Sequence, residues 1–313
     1  MSGRWIKSGV VVVLAAGLGW AAPPAHASAP ERTDDTGGAD TGDSDGAEVG
    51  ATAGTFDYVA LGDSAAAGPL IPDQDPNLAC LRSNRNYPAV LAEELGAELN
   101  DVTCSGAKTS DFEGRQFGFL PPQYDALEED TDLVTLTVGG NDVDLVVHAL
   151  SCINLAPEPH GRSCEEALTG DGGDTIAEAV DAWVPELDEA LAEIGERSPD
   201  AEVVVAGYGH YIREGGCWPT QPVWADDADY LQGSTSYLNE ALADRAHEHG
   251  ATYVDLEAVG TGHDVCADPE ERFIEGLVPQ SAAAPLHPNE QGMEAFGRAI
   301  AEQVGPQGAT PLL

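Results

Sequence analysis

Four points of this chain carry residues whose types could do chemistry together. In "YVALGDSAAAG" (58–68) a hydrophobic run ends in Gly-Asp-Ser and small residues, which exposes the hydroxyl of Ser64 at a turn. "TCSGA" (103–107) brings Gly106, "VGGND" (138–142) brings Asn141, and "APLHPNEQG" (284–292) brings His287 directly before a Pro-initiated helix. A serine hydroxyl is a poor nucleophile near neutral pH and needs a base beside it. An imidazole can take that proton and return it to a leaving group. Backbone N–H groups and an Asn amide can meet an oxygen that becomes negatively charged. Residues of these types could carry out acyl transfer only where the fold brings them into one crevice.

Each residue also has a plain structural job. Ser64, or Asp63 before it, suits a helix N-cap. Gly106 suits a turn, Asn141 an Asx-turn or cap, and His287 a surface loop. His263-Asp264 competes for the role of base, but side chains adjacent in sequence do not easily pair. Its position beside Cys266 suggests a loop held by a disulfide near the site. His247-Glu248-His249 ends a predicted helix, where it suits the helix dipole better than a metal. Trp183, Trp218 and Trp224 read as core or pocket wall, with Trp218 and Trp224 as candidates to line an acyl site.

The elements that must position these residues alternate. β-rich runs are expected at 56–61, 99–103, 133–138, 203–206 and 253–256, and helical patterns at 87–95, 175–196, 233–249 and 290–304. Such alternation implies a parallel sheet covered on both faces. "DLVTLTVGG" is apolar enough for a fully buried strand. Ligands of such sheets bind beyond the carboxyl ends of the strands, and the chemistry-bearing residues lie there. A Gly-rich dinucleotide fingerprint is missing, which argues against a cofactor-binding Rossmann domain.

Composition bounds the setting. Arg4 and Lys7, the apolar run from Val10 to Trp20, and Ala25-His26-Ala27 have the order of a secretory signal cleaved after residue 27. Residues 28–54 are acidic, rich in Gly, Asp, Ser and Thr, and free of aromatics, so they read as a disordered linker. A domain over 55–306 and a tail at 307–313 complete the expected organisation. No later segment is apolar enough to cross a membrane, so a secreted, extracellular protein without stable membrane insertion is expected. Its six cysteines suit that compartment and suggest three disulfides. Sequence alone leaves fifteen pairings for six cysteines, and nearest-neighbour pairing is preferred because each couple brackets one loop. The chain has 55 acidic and 13 basic residues, a net charge of −42. Nucleic acid is excluded as a partner, because phosphate contact needs cations. Such a surface repels itself, and salt screens that repulsion.

Taken in order, Gly-Asp-Ser, Gly106, Gly-Asn-Asp and His-Pro-Asn resemble the four blocks of the SGNH hydrolase superfamily, the GDSL lipase/esterase family. The resemblance spans roughly residues 55–304. With "GHDVC" (262–266), the cysteine pattern looks most like the secreted actinobacterial lipase and esterase branch. The resemblance implies a single-domain, flavodoxin-like α/β/α sandwich around a mostly parallel five-stranded sheet. It pairs Cys80–Cys104, Cys152–Cys164 and Cys217–Cys266. It makes Ser64 the nucleophile and His287 the general base, with Ser64 N–H, Gly106 N–H and the Asn141 amide as oxyanion hole. The implied partner is an acyl ester or lipid, and the chain is read as a monomer. Phospholipase A, carbohydrate deacetylase and a non-catalytic binding protein on the same scaffold are the competing readings. Two positions depart from the family pattern. Where many members carry an Asp three residues before the histidine, this chain has Ala284, so the Ala284 backbone carbonyl is expected to orient His287. "GDSAAAG" has alanines where relatives carry hydroxyl or aromatic residues, so substrate contacts do not carry over from those positions.

Overall fold

The computed structural model describes residues 56–170 and 172–305. The expected export signal, acidic linker and C-terminal tail lie outside these residues, as do residues 55, 171 and 306 of the expected domain. Strands β1 (Asp57–Gly62), β2 (Glu98–Asp101), β3 (Leu133–Thr137), β4 (Glu202–Ala206) and β5 (Thr252–Val254) form one sheet in the order β2-β1-β3-β4-β5. Every pairing is parallel. The helices are α1 (Ser64–Ala67), α2 (Tyr87–Leu95), α3 (Ser110–Glu113), α4 (Leu145–Ser151), α5 (Cys164–Thr169), α6 (Thr175–Arg197), α7 (Ala225–Glu248), α8 (Leu256–Val259) and α9 (Glu290–Val304).

Side-chain alternation along the strands builds two cores. Val59, Leu61, Val134 and Leu136 point to one face, where α6 and α7 cover them with Val180, Leu187, Leu238 and Leu242. Tyr58, Ala60, Val204 and Ala206 point to the other, where α2 and α9 bring Leu91, Met293, Phe296 and Ile300. Burying a side chain of this kind contributes roughly 1.5–3 kcal/mol, so both faces stabilise the sheet. The result is the three-layer α/β/α sandwich that the strand–helix alternation implies. β3 is buried throughout, and its polar members are satisfied there. The hydroxyls of Tyr58 and Thr135 lie 2.6 Å apart, and those of Tyr87 and Thr137 2.9 Å apart.

Three boundaries differ from expectation for local reasons. β2 ends at Asp101, whose carboxylate accepts from Thr103 N and Oγ1, while Val102 N and Cys104 N still donate to Ala60 O and Gly62 O of β1. Asp255 caps α8 by accepting from Ala258 N, so β5 stops at Val254. Helix α7 begins at Ala225 rather than near Gly233, with Asp226 and Asp227 in its first turn, where negative charge favours helix.

Between β1 and β3 the direction of the chain through the sheet reverses. Crevices at such a point are the ligand sites of open parallel sheets. Disulfides Cys80–Cys104, Cys152–Cys164 and Cys217–Cys266 brace the segments around it.

Candidate active site

Ser64 opens α1 directly after β1. Its neighbour Asp63 takes the capping job, because the Asp63 carboxylate accepts from Ala65 N at 2.8 Å. Ser64 is thereby free of a local role, and its Oγ lies 2.7 Å from His287 Nε2 although 223 residues separate them in sequence. His287 sits on the segment between α8 and α9, whose backbone is pinned against a neighbouring stretch. Glu275 N donates to His287 O at 2.9 Å, and Leu286 N donates to Glu275 O at 3.0 Å. Hydrogen bonds reaching Glu275 from Asn289 and Ser281 side chains and from Gln280 N fix that stretch in turn.

The carbonyl facing the imidazole is not the one expected. His287 Nδ1 lies 2.8 Å from Pro285 O, whereas Ala284 O accepts from the His287 backbone N–H at 3.3 Å. Leu286 has φ +61°, and this left-handed step folds the Pro285 carbonyl back onto the ring. A carbonyl only accepts, so Nδ1 carries the hydrogen and Nε2 is left as the acceptor for the Ser64 hydroxyl. Burial lowers the His287 pKa, partly opposed by the Pro285 hydrogen bond, which favours the neutral imidazole.

Asn141 follows β3 in the same crevice. Its Nδ2 donates to Ala107 O at 3.0 Å and lies 3.4 Å from Asp63 Oδ2. Gly106 follows β2 with φ +81° and is exposed. Neither its N–H nor that of Ser64 finds an acceptor among the described residues. Gly139 has φ +118°, and a Cβ there would stand 2.6 Å from the Trp183 ring, so the turn before Asn141 requires glycine.

Tyr208, just past β4, has no signal in the sequence beyond standing at a strand end. Its hydroxyl donates to Asp63 Oδ2 at 2.6 Å and accepts from Gly140 N at 2.7 Å. It therefore ties the turn that bears Ser64 to the turn that bears Asn141. Burial pushes Asp63 up to about 7, against the hydrogen bonds from Tyr208 and Ala65. Tyr208→Phe leaves the Gly140 N–H and one Asp63 oxygen without that partner. The expected cost is roughly 1–3 kcal/mol of stability, read as a lower urea midpoint with an unchanged slope.

An apolar chamber opens beside Ser64, Asn141 and His287. Leu145, Ala149, Ile153, Val223, Leu231 and Val265 line it. Trp218 and Trp224 do not line it. Their indole N–H groups donate to Asn154 O and Ala156 O, which ties them to the segment after α4. Trp183 is core, and donates to Thr109 Oγ1 at 2.7 Å. His263 stacks on Phe273 with ring centroids 4.0 Å apart, and its Nδ1 meets Glu271 O. Asp264 pairs with Arg213 at 3.0 Å instead. The two therefore do not form acid–base machinery. At the end of α7, His249 meets Asp188 at 3.1 Å.

A parallel sandwich with a serine and a histidine converging at the β1/β3 crevice defines a hydrolase architecture. The chain matches the GDSL-like Lipase/Acylhydrolase family over residues 60–295, and it belongs to that family. Among proteins it resembles is Lipase 2 of Streptomyces coelicolor, 41% identical over 242 residues, covering 76% of this chain and 82% of that one. An extracellular lipase from Streptomyces rimosus is a structural relative, with TM-score 0.66, 26% identity, and coverage of 79% of this chain and 99% of that one. Phospholipase A1 from Streptomyces albidoflavus NA297 is another, with TM-score 0.64, 26% identity, and coverage of 80% and 99%. The chain is accordingly an ester hydrolase of the lipase/esterase type. No helix of the described residues is long and apolar enough to cross a membrane.

Proposed function

We propose that this protein is an exported carboxylic-ester hydrolase that works through an acyl-enzyme on Ser64. Ser64 Oγ attacks the ester carbonyl while His287 Nε2 accepts the hydroxyl proton. The tetrahedral intermediate collapses, the C–O bond to the alcohol breaks, and His287 returns the proton to the departing alkoxide. Water then repeats the sequence on the acyl-enzyme and releases the acid. The Pro285 carbonyl holds the imidazole in the useful tautomer, so the machinery is a dyad oriented by backbone. Ser64 N–H, Gly106 N–H and the Asn141 amide are the donors to the oxyanion. The apolar chamber receives the acyl chain. The 2.7 Å approach of Ser64 Oγ to His287 Nε2 carries this reading. Export is supported by the signal-like features of residues 1–27, by three disulfides, and by the extracellular relative from Streptomyces rimosus.

The test is covalent labelling by an organophosphonate with an alkyl chain. Labelling at Ser64, and its loss in Ser64→Ala, are expected; equal labelling of the variant sinks the proposal. Phospholipase A activity is the second reading, favoured by the likeness to the Streptomyces albidoflavus enzyme. A panel of nitrophenyl esters of rising chain length, run beside phosphatidylcholine, separates the two.

The pH dependence follows in sign. His287 serves as base only when neutral, and burial lowers its pKa. The acid limb of kcat/KM should therefore have its midpoint below the ordinary imidazole value of 6.5, with the rate lost as pH falls through it. A pH–rate profile on nitrophenyl butyrate checks this. A limb near 7 would instead mark Asp63, which burial pushes up to about that value, as the controlling group.

A further inference from the structure

Six large apolar side chains are exposed around one end of the sheet, apart from those on the segments bearing Leu78, Leu81, Phe117 and Phe119. Leu155 is 84% exposed, Val278 75%, Val147 62%, Leu70 50%, Leu150 47% and Trp218 36%. All six stand on segments that leave the carboxyl ends of β1, β3, β4 and β5, the end of the sheet that holds Ser64 and His287.

Hydrogen bonds show that these segments are neighbours. Trp218 Nε1 donates to Asn154 O, beside Leu155, and Asn154 N donates to Pro222 O. Leu277 N, next to Val278, donates to Gln221 Oε1. Across the mouth, Ala284 N donates to Pro69 O, which puts Leu70 beside the segment bearing His287. Helix α4 joins the surface to the chamber: its Leu145 and Ala149 line the chamber while Val147 and Leu150 face out.

The same segments are free of charge. Residues 64–72, 145–157, 215–224 and 276–289 contain no Asp, Glu, Lys or Arg, in a chain in which 22% of residues are charged and the net charge is −42. Helix α6 alone carries Glu178, Asp181, Glu186, Asp188, Glu189, Glu193 and Glu196. Acid is thus absent within these four segments, although Asp73, Asp144, Glu158, Glu214 and Glu290 stand at their ends. A contiguous exposed apolar patch marks a site of association. With no cations in these segments, an anionic bilayer gains nothing there and is repelled by the rest of the molecule. The occupant that fits is apolar, uncharged, and continuous with whatever enters the chamber.

We propose that this rim docks the protein onto a condensed interface of uncharged ester lipid, with the chamber mouth facing the lipid. The proposal rests on the reading that the chamber beside Ser64 receives the acyl chain. Val147→Ser, Leu155→Ser and Val278→Ser combined, all at exposed positions outside the chamber, test it against Tyr237→Ser, an exposed control on α7. In a Ser64→Ala background, flotation with a tricaprylin emulsion should fall at least about tenfold in the triple variant and stay unchanged in the control, since each large apolar side chain loses part of a burial worth over a decade in affinity. With Ser64 intact, the rate on that emulsion should fall by a similar factor, while kcat/KM on monomeric nitrophenyl butyrate stays within about twofold. Undiminished flotation, an equal loss on the monomeric ester, or equal flotation with phosphatidylglycerol vesicles would overturn the proposal. So would a dimer in sedimentation velocity that the triple variant dissociates, because the rim would then face a second copy. Residual hydrolysis by Ser64→Ala would sink the acyl-enzyme reading alone, since the flotation arm does not depend on turnover.

Discussion

Replacing Ser64 by alanine is expected to lower kcat on a soluble nitrophenyl ester by roughly 10⁴–10⁶ and to leave the fold intact. The stability half of this expectation follows from the local structure. Helix α1 is capped by the Asp63 side chain, its Ala65, Ala66 and Ala67 are buried, and the Ser64 hydroxyl has His287 Nε2 as its partner. Removing that hydroxyl costs the helix nothing and leaves a half-buried imidazole that water can reach. The kinetic half follows from the loss of the atom that would bond the acyl carbon. His287→Ala should fall to a similar rate, and the double variant should fall no further, because nucleophile and base act as one unit. Measured kcat values for the three variants, with circular dichroism as a check on folding, decide the matter. Multiplicative losses in the double variant, or a Ser64→Ala enzyme within tenfold of the parent, would assign the chemistry elsewhere.

Much of the scaffold beneath this site is legible because it rests on short-range pattern. The dense apolar run of β3 and the alternation of β-rich and helical stretches are local signals that tertiary packing does not reverse, whereas the caps Asn86 of α2 and Asn289 of α9 emerge only in the structure. The strand ends then direct attention to Ser64, Gly106, Asn141 and His287. What escapes the sequence depends on backbone angles or on long reach. Pro285 rather than Ala284 faces His287 because Leu286 takes φ +61°, a conformation that leucine does not advertise. Tyr208 reaches Asp63 across 145 residues, and nothing in its surroundings marks its hydroxyl as a strut. Helices α4 and α5 are short and flank a disulfide loop, so no full amphipathic period develops between residues 142 and 170. The chamber wall nevertheless comes largely from segments 142–170 and 209–232, through residues such as Leu145, Ala149, Val223 and Leu231.

Asn141→Ala should lower kcat by about 10²–10³ while leaving KM nearly unchanged. An Asn side-chain amide has two hydrogens, and here they are not equivalent. One is held by Ala107 O at 3.0 Å, which fixes the plane of the amide. The other faces Asp63 Oδ2 at 3.4 Å, a contact long enough to be weak. In the proposed mechanism that second hydrogen turns to the oxyanion above Ser64, beside the N–H groups of Ser64 and Gly106, which have no other acceptor among the described residues. A donor that strengthens its bond as charge develops acts on the transition state rather than on the bound ester, hence the split between kcat and KM. Loss of the Ala107 contact costs about 1 kcal/mol of stability, too little to imitate the kinetic effect at room temperature. Asn141→Asp keeps the shape but replaces the donor with an acceptor beside Asp63, and should be at least as slow. Steady-state kinetics on nitrophenyl butyrate at a pH above the acid limb measure both variants. If Asn141→Ala instead raises KM at constant kcat, the amide binds the ground state and the oxyanion is held by backbone alone.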